Sequence, residues 1–166
     1  MDFTAEDGQY MARALQLAKD AGRNNEVPVG AVLVHEGRII GEGSNNPISS
    51  HDVSAHAELV AIRQACLMMS NYRLPNSTLY VSLEPCPMCA GAIVHARIAR
   101  VVIATEEPRA GAAGSVFNLL DNPNLNHRCT VEYGLYEQES SDLLKAFFKR
   151  RRAEQKEARR VKESIQ

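Results

Sequence analysis

The sequence contains few cysteines and no long apolar segment. Four cysteines occur among its 166 residues, and no run approaches the ~18 consecutive apolar residues of a membrane-spanning helix. The first residues, "MDFTAEDGQYMARALQ", include acidic side chains and lack the continuous apolar centre of a secretory signal. We therefore expect a cytoplasmic protein with no membrane partner, in a compartment where disulfides are uncommon. Cys86 and Cys89 are accordingly predicted to be metal ligands or redox thiols rather than a disulfide pair.

The net charge of −1 conceals an uneven distribution of charged residues. Positions 145–163 contain nine Lys or Arg and three Asp or Glu, which gives that segment +6 and leaves −7 on the rest of the chain. Such segregation favours an anionic partner for the basic segment. A basic helix face that meets only water is the alternative that charge alone leaves open.

The length of the chain and the order of its predicted helices and strands indicate one α/β domain that covers residues 1–166. With 45% hydrophobic and 23% charged residues, the composition is that of a globular chain. The runs "VGAVLV" and "RIIGEGS" flank "HEG" and predict a β-hairpin, and "STLYVSL", "ARVVIA" and "TVEYGLY" predict three further strands. Because helices alternate with these later strands, we expect a layered α/β arrangement with a mixed sheet.

The predicted helices begin at residues suited to capping or to the first helical turn. Thr4 with Asp7 predicts the first helix start, and Ser54 predicts the start of a helix through "AHAELVAIRQACLMM". The apolar spacing of that helix predicts a buried stripe formed by Leu59, Ile62, Cys66 and Met69. Further helices are predicted at about 87–96, as a short element at "VFNLL", and as a long basic helix at about 141–163.

Pro87 indicates how the two neighbouring cysteines can act together. It fits the first position of a helix, where its missing N–H is not needed, so Cys86 becomes the N-cap and Cys89 the third helical residue. Unpaired N–H groups at a helix start lower thiol pKa values and favour thiolates. Two thiolates at short range repel each other, and a divalent cation relieves that repulsion. Sulfur ligands with an imidazole nearby favour zinc.

The segment "SAHAEL" supplies the other groups that a metal centre needs. His56, at the start of the other central helix, is the third ligand that we propose for this metal. Glu58 is long enough to reach the site without binding the ion and is suited to take a proton from water. Three protein ligands leave a tetrahedral zinc one open position, which is the pattern of a catalytic site. A fourth ligand would instead make the zinc structural and the protein a zinc-stabilised binding module; the candidates are His35, His51, His95 and His127.

The combination of H-x-E at one helix start and P-C-x-x-C at the next is the signature of zinc-dependent nucleobase deaminases. Beyond it, the chain resembles the bacterial tRNA-specific adenosine deaminase family in segments that cover nearly its whole length: "EVPVGAVLV", "GEGSN", "AHAELVAIRQA", "NYRL", "TLYVSLEPCPMCAGAI", "ARIARVV", "GAAGS", "NHR" and "FFKRRR". This resemblance implies a three-layer α/β/α cytidine-deaminase-like fold with a central five-stranded mixed sheet. It also implies a homodimer with one Zn²⁺ per subunit, bound by His56, Cys86 and Cys89.

The same resemblance implies an activity and a set of substrate residues. The activity is hydrolytic deamination of adenosine to inosine at the wobble position of a tRNA anticodon, with the anticodon stem-loop as partner. Zinc-bound hydroxide would attack C6 of adenine, and Glu58 would act as the proton shuttle. Asn45 matches the family residue that hydrogen-bonds the target nucleotide. The wall of the family's substrate pocket is matched by Val27, Pro28 and Val29.

One segment departs from the family pattern, which usually has an Asp and then a basic residue two positions later, before "GAAGS". Here the longer Glu107 takes the place of the Asp, and Arg109 retains the positive charge. Both are possible RNA contacts, and the basic helix adds Lys149, Arg150, Arg151 and Arg152. Deaminases of free nucleosides, deoxycytidylate and guanine share much of the metal motif and are the nearest alternative. A small-molecule substrate has little need for such a basic helix.

Overall fold

A mixed sheet of five strands forms the centre of the protein, whose computed structural model describes residues 2–166. The strands are β1 (Gly30–His35), β2 (Arg38–Ser44), β3 (Ser77–Leu83), β4 (Arg100–Thr105) and β5 (Thr130–Tyr133). Their spatial order is β2-β1-β3-β4-β5. Strand β1 is antiparallel to both β2 and β3, whereas β4 is parallel to its neighbours β3 and β5. The predicted five-stranded mixed sheet is therefore confirmed.

Helices cover both faces of this sheet. They are α1 (Ala5–Arg23), α2 (Pro47–Ser50), α3 (Ala57–Met69), α4 (Pro87–Ala96) and α5 (Glu137–Ser164). Helices α1 and α5 pack on one face, and α3 and α4 pack together on the other. This arrangement confirms the predicted three-layer α/β/α fold. Every helix within residues 2–166 is too short or too polar to span a membrane.

Strand side chains alternate between two apolar cores, as the two-residue period of a β-strand requires. The core beneath α3 and α4 receives Ala31, Leu33, Leu79, Val81, Val101 and Ile103. The core beneath α1 receives Val32, Val34, Tyr80, Val102 and Ala104. Strand β4 contributes to both cores, which is why its sequence is a nearly continuous apolar run.

The buried face of α3 differs from the predicted stripe. Of the four predicted residues only Ile62 is buried, and Met69 is 39% exposed. The helix instead buries Ala57, Ala61 and Ala65 against strand β2. A Cβ on Gly43 would lie 2.1 Å from the carbonyl oxygen of Ala57, and one on Gly41 would lie 2.1 Å from that of Ala61. Because the helix backbone rests directly on the strand, only small side chains fit between them.

The chain after β4 also differs from prediction. The segment "VFNLL" is not helical and forms turns, in which the N–H groups of Val116 and Phe117 both donate to the carbonyl oxygen of Gly111. Strand β5 ends at Tyr133, before Gly134 adopts a positive φ of 102°. The basic helix α5 consequently begins at 137, before the predicted position of about 141.

A buried charge network joins α1 to the sheet. Asp7 completes the predicted capping box with Thr4 and is 4% exposed. Its carboxylate also accepts hydrogen bonds from Arg100 Nη1 (2.8 Å) and from the hydroxyl of Tyr80 (2.7 Å). Arg100 pairs in turn with Glu132 on β5 (2.6 Å). The Arg100 hydrogen bond holds the pKa of Asp7 far below its usual range, although burial acts in the opposite direction.

This network predicts a pH-dependent loss of stability. Because the folded pKa of Asp7 is depressed, its contribution to stability is fully present above the unfolded pKa of about 4 and is lost progressively as pH falls from there to the folded pKa. Asp7→Asn should lower the free energy of unfolding by about 2 kcal/mol at pH 7. The difference in free energy of unfolding between Asp7→Asn and the wild type should be smaller at pH 3.5 than at pH 7. Urea denaturation at both pH values measures this gap.

A matched control is Asp20→Asn, because Asp20 makes only an exposed pair with Arg23 (3.0 Å). That variant should change the free energy of unfolding by less than about 0.5 kcal/mol. Equal losses for the two variants, or a gap for Asp7→Asn that does not change with pH, would show that the network does not stabilise the fold.

Candidate active site

The starts of helices α3 and α4 lie next to each other on one face of the sheet. Helix α3 begins after its N-cap His56 rather than at the predicted Ser54, whose hydroxyl donates instead to Asp52 Oδ1 (2.7 Å). Helix α4 begins after its N-cap Cys86, with Pro87 in the first helical turn as predicted. Both N-caps have extended backbones, and neither uses its side chain to cap its own helix. The imidazole and the thiol can therefore face each other.

Three potential metal ligands meet at these helix starts. His56 Nδ1 lies 3.6 Å from Cys86 Sγ and 3.4 Å from Cys89 Sγ. One ligand atom from each residue lies within 4.8 Å of the other two. A tetrahedral zinc with Zn–N of about 2.0 Å and Zn–S of about 2.3 Å requires N···S separations of roughly 3.6 Å. The spacing and chemistry of these donors fit a zinc ion.

The other histidines stand apart from this group. Within residues 2–166, His56, Cys86 and Cys89 form the one group of metal-ligand side chains at such spacing. His127 Nε2 lies 2.7 Å from the carbonyl oxygen of Ile98, and His35 lies beside Glu36. The described chain thus offers three protein ligands, which leaves one position of a tetrahedral ion open.

The two thiols have opposite tendencies to lose a proton. The pKa of Cys86 is lowered to about 5, chiefly because the Cys89 thiol hydrogen-bonds to its thiolate. The N–H groups of Cys89 and Met88 and the nearby imidazole of His56 act in the same direction, against burial. The pKa of Cys89 is raised because it donates in that pair, is buried, and faces the Glu58 carboxylate. Such a pair holds one negative charge readily and needs a cation to hold two.

Glu58 lies beside the ligands in the first turn of α3 and is 4% exposed. Burial raises the pKa of its carboxyl, and a hydrogen bond with Cys89 partly opposes that effect. A buried carboxyl group whose pKa is raised holds a proton more readily than an exposed one, which favours accepting a proton and returning it. The arrangement therefore suits proton transfer next to the three ligands.

A cavity of about 250 Å³ opens over these side chains. This volume is below the ~300–1,000 Å³ of pockets for drug-sized ligands, and it suits one small group. The lining combines apolar walls with a few polar groups: Val27, Val29, Asn45, His56, Glu58, Leu83, Glu84, Cys86, Glu107 and Ala110.

Three of the four predicted pocket residues line this cavity. The N–H of Asn45 donates to the Val29 carbonyl oxygen (3.0 Å), and the N–H of Val29 donates to that of Val27 (2.8 Å), so the two segments form one wall. Pro28 lies instead in a separate groove between α1 and α5, close to Gly22. It supports the wall from behind rather than lining the cavity.

A larger groove of about 640 Å³ adjoins the cavity and runs along α5. The two share Val27, Leu83 and Glu107. The groove also carries an exposed aromatic ring and three cations: Phe148, Arg109, Lys145 and Arg152. Aromatic rings and cations side by side suit the bases and phosphates of a single-stranded nucleic acid.

Arg150, one of the predicted RNA contacts, faces the protein. Its guanidinium donates to the carbonyl oxygen of Gly22 (3.2 Å) and to Asn25 Oδ1 (3.0 Å). It also lies over the ring of Phe147, 5.4 Å from the centroid. These contacts fasten α5 to the end of α1.

The other three predicted contacts on α5 differ in how their charges are balanced. Arg151 Nη1 pairs with Glu154 at 3.1 Å. Lys149 and Arg152 have no ion-pair partner among the residues from 2 to 166, and both are exposed. Arg152 alone of the four lines the groove beside the cavity.

Glu107 and Arg109 occupy the loop that forms the far side of the groove. Glu107 Oε1 accepts a hydrogen bond from the N–H of Arg109 (2.9 Å), so this carboxylate is turned towards its own loop. Both residues line the groove, and Arg109 is exposed there. One carboxylate oxygen of Glu107, which replaces the family's Asp, is thus already hydrogen-bonded within its own loop.

Sequence reasoning missed two buried carboxylates beside the cavity. Glu84 is 2% exposed and lines it, and Glu26 is 1% exposed and precedes the wall residue Val27. Glu26 accepts hydrogen bonds from backbone N–H groups of the short helix α2, and Glu84 accepts them from the loop at 107–115. A charged residue inside an otherwise apolar run, as in "SLEPC" and "NEVPVG", is the signal that could have identified them.

Comparison with known proteins agrees with this architecture. The family described as "Cytidine and deoxycytidylate deaminase zinc-binding region" matches residues 4–105. A tRNA-specific adenosine deaminase of Haemophilus influenzae is 49% identical over 151 residues, which cover 90% of this chain and 87% of that protein. Its counterpart in Bacillus subtilis is 43% identical over 155 residues, which cover 93% of this chain and 96% of that protein.

Solved structures give the same result. One from studies of A-to-I editing by tRNA:A34 deaminases at the wobble position has a TM-score of 0.79 and 44% identity, covering 82% of this chain and 99% of that chain. A guanine deaminase from Bacillus subtilis has a TM-score of 0.60 and 38% identity, covering 77% and 83%. The resemblance found in the sequence is confirmed, and the chain belongs to the family of tRNA-specific adenosine deaminases, which shares the cytidine and deoxycytidylate deaminase zinc-binding region.

Proposed function

We propose that this protein, as a single deaminase domain over residues 1–166, converts the wobble adenosine of a tRNA anticodon to inosine. We place it in the cytoplasm, where tRNA is used and where thiols such as those of the metal site stay reduced. The names of its relatives support the substrate. The observation that carries the proposal is the cavity over His56, Cys86 and Cys89, which adjoins a groove lined by three cations and two carboxylates. An extruded base would enter the cavity while flanking phosphates follow the groove.

His56, Cys86 and Cys89 would hold one zinc ion, which when bound supplies a Lewis acid that makes water a usable nucleophile near neutral pH. Two thiolate ligands compensate the charge of the ion and so reduce its acidity. A base beside the ligands is therefore required. Glu58 is the buried carboxyl in that position.

We assign the proton transfers to Glu58. Its carboxylate takes a proton from the water that adds to C6 of adenine, and the resulting acid delivers this proton to ring N1. The second proton of the water then passes through Glu58 to the amino group on C6. The C6–N6 bond breaks, ammonia leaves, and inosine remains with a carbonyl at C6 and a proton on N1.

The cavity walls would hold the base for this reaction. Asn45 offers an amide that can hydrogen-bond the target nucleotide, and the apolar side chains of Val27 and Val29 replace part of the lost stacking. Pro28 supports the wall through its packing beside Gly22. These contacts position the substrate and leave the proton transfers to Glu58.

For the RNA backbone we propose that Lys149, Arg152 and Arg109 are the contacts on this chain. The charges of Lys149 and Arg152 are unpaired among residues 2–166, and Arg152 and Arg109 line the groove. Arg150 would act indirectly by fastening α5, and Arg151 is engaged by Glu154. Glu107 would shape the groove rather than meet a phosphate.

We also propose that the active form is a homodimer. Large apolar side chains are exposed in α3 and in the segments just before and after it: Ile48, Val53, Leu67, Met68 and Tyr72. Exposed apolar surface of this kind is typical of a protein–protein interface. The sample used for activity measurements should therefore sediment with the mass of two chains, and a single-chain mass would contradict the dimer.

The substrate assignment predicts that only RNA is deaminated efficiently. The purified protein should release ammonia and form inosine from an anticodon stem-loop with a wobble adenosine. Free adenosine, cytidine and guanine should react at least ~100-fold more slowly, because they lack the groove contacts. The same loop with that adenosine moved by one position should also react at least ~100-fold more slowly, because the groove contacts then place a different base over the cavity. Ammonia release and nucleoside composition measure the reaction.

Glu58→Ala is the matched control, because it should retain zinc and RNA binding but lose deamination by at least ~1,000-fold. Preferred turnover of guanine or a free nucleoside would reject the tRNA assignment. Wild-type turnover by Glu58→Ala would reject the proton-transfer role.

Two adjacent arginines test the assignment of RNA contacts. Arg152→Gln should weaken binding of the stem-loop RNA by about threefold to tenfold and reduce the slope of log K against log salt by about 1, since one phosphate contact is lost. Arg151→Gln, in the same helix, should change affinity by less than about twofold because Arg151 does not line the groove and pairs instead with Glu154, a carboxylate that it shares with Arg150. Binding titrations at several salt concentrations measure both values. Equal effects of the two substitutions would contradict the assignment.

A further inference from the structure

All four acceptor contacts of the buried Glu84 carboxylate are made to one loop, residues 107–115. Glu84 follows β3 directly and is 2% exposed. Its Oε1 accepts from the N–H of Glu107 (3.1 Å) and from the hydroxyl of Ser115. Its Oε2 accepts from the N–H groups of Ala113 (3.0 Å) and Ser115 (3.1 Å). The loop is therefore organised around a single side chain.

The loop is folded tightly against this carboxylate. A Cβ on Gly111 would lie 2.4 Å from both Cδ and Oε2 of Glu84, so only glycine fits there. The next residue, Ala112, donates its N–H to the carbonyl oxygen of Pro85 (2.8 Å). Contacts on both sides of the Glu84 side chain thus hold the middle of the loop.

The buried Glu84 side chain depends on these contacts for its hydrogen bonds. Its hydrogen-bond donors within residues 2–166 are neutral N–H and O–H groups, whereas Asp7 is paired with the Arg100 guanidinium. A buried carboxylate that loses its donors carries a large desolvation cost. Displacing the loop would therefore leave the two buried carboxyl oxygens without hydrogen-bond donors, and this cost keeps the loop in place.

The same loop forms one wall of the candidate active site. Glu107 and Ala110 line the cavity, and Glu107 and Arg109 line the adjoining groove. Glu84 itself lines the cavity, two positions before the proposed ligand Cys86. One side chain thus connects the strand end that leads to the metal site with the loop that faces the substrate.

We propose that Glu84 is a positioning residue that holds the 107–115 loop as the docking wall for the target nucleotide. The proposal rests on the proposed function. Glu84 acts on substrate binding through the loop and takes no part in proton transfer. Its removal should therefore affect KM more than kcat.

The test variant is Glu84→Gln, which keeps the shape but points an amide NH₂ at N–H donors. KM for the stem-loop RNA should rise by about tenfold while kcat stays within about twofold. Zinc content should not change, and amide hydrogen exchange at Ala113 and Ser115 should become faster. Ser115→Ala removes one donor and should raise KM by about twofold to threefold, so it tests the proposal even if Glu84→Gln does not fold.

Asp7→Asn is the control for general destabilisation, because Asp7 is a similarly buried carboxylate that serves α1. It should lower the melting temperature without raising KM. An unchanged KM in Glu84→Gln, or an equal rise in Asp7→Asn, would overturn the proposal. If the wild type fails to deaminate the RNA, the proposed function is wrong. Unchanged amide hydrogen exchange at Ala113 and Ser115 in Glu84→Gln would separately reject the role of Glu84.

Discussion

The direct contact between the backbone of α3 and strand β2 determines where the candidate metal site can form. Gly41 and Gly43 leave no side chain between strand and helix, so the carbonyl oxygens of Ala57 and Ala61 lie where a Cβ would otherwise be. This contact places the N-cap His56 beside the start of α4. The donor atoms there are separated by 3.4 and 3.6 Å. A larger residue in the strand would move α3 by an ångström or more, beyond what metal–ligand distances tolerate.

Three buried carboxylates show how surroundings determine what the same group does. Asp7 faces a guanidinium and joins α1 to the sheet. Glu84 faces backbone N–H groups and fixes a loop. Glu58 faces a cavity and the thiol of Cys89, and its pKa is raised by burial. Asp7 and Glu84 have hydrogen-bond partners that fix an element of the fold in place. Glu58 instead has an environment suited to exchanging a proton.

Local sequence rules predicted the elements that local forces determine. Short runs of β-rich residues located the five strands, the capping box at Thr4 located α1, and Pro87 located α4. The same rules failed where contacts with residues distant in sequence determine which side chains are buried. In α3, the buried face is determined by two glycines of β2. The "VFNLL" segment has helical spacing, but its N–H groups bond to Gly111 in a loop organised by Glu84. The site residues were visible as motifs, whereas the carboxylate that holds their loop was not.

Zinc-edge X-ray absorption on the purified protein tests the central claim most directly. The claim is that packing of α3 on β2 brings His56, Cys86 and Cys89 around one ion with a fourth position open. The spectrum should show two sulfur neighbours at about 2.3 Å, one imidazole nitrogen at about 2.0 Å, and one further light atom that is not imidazole. A shell with a second imidazole or a third sulfur, or protein isolated without zinc, would contradict the account.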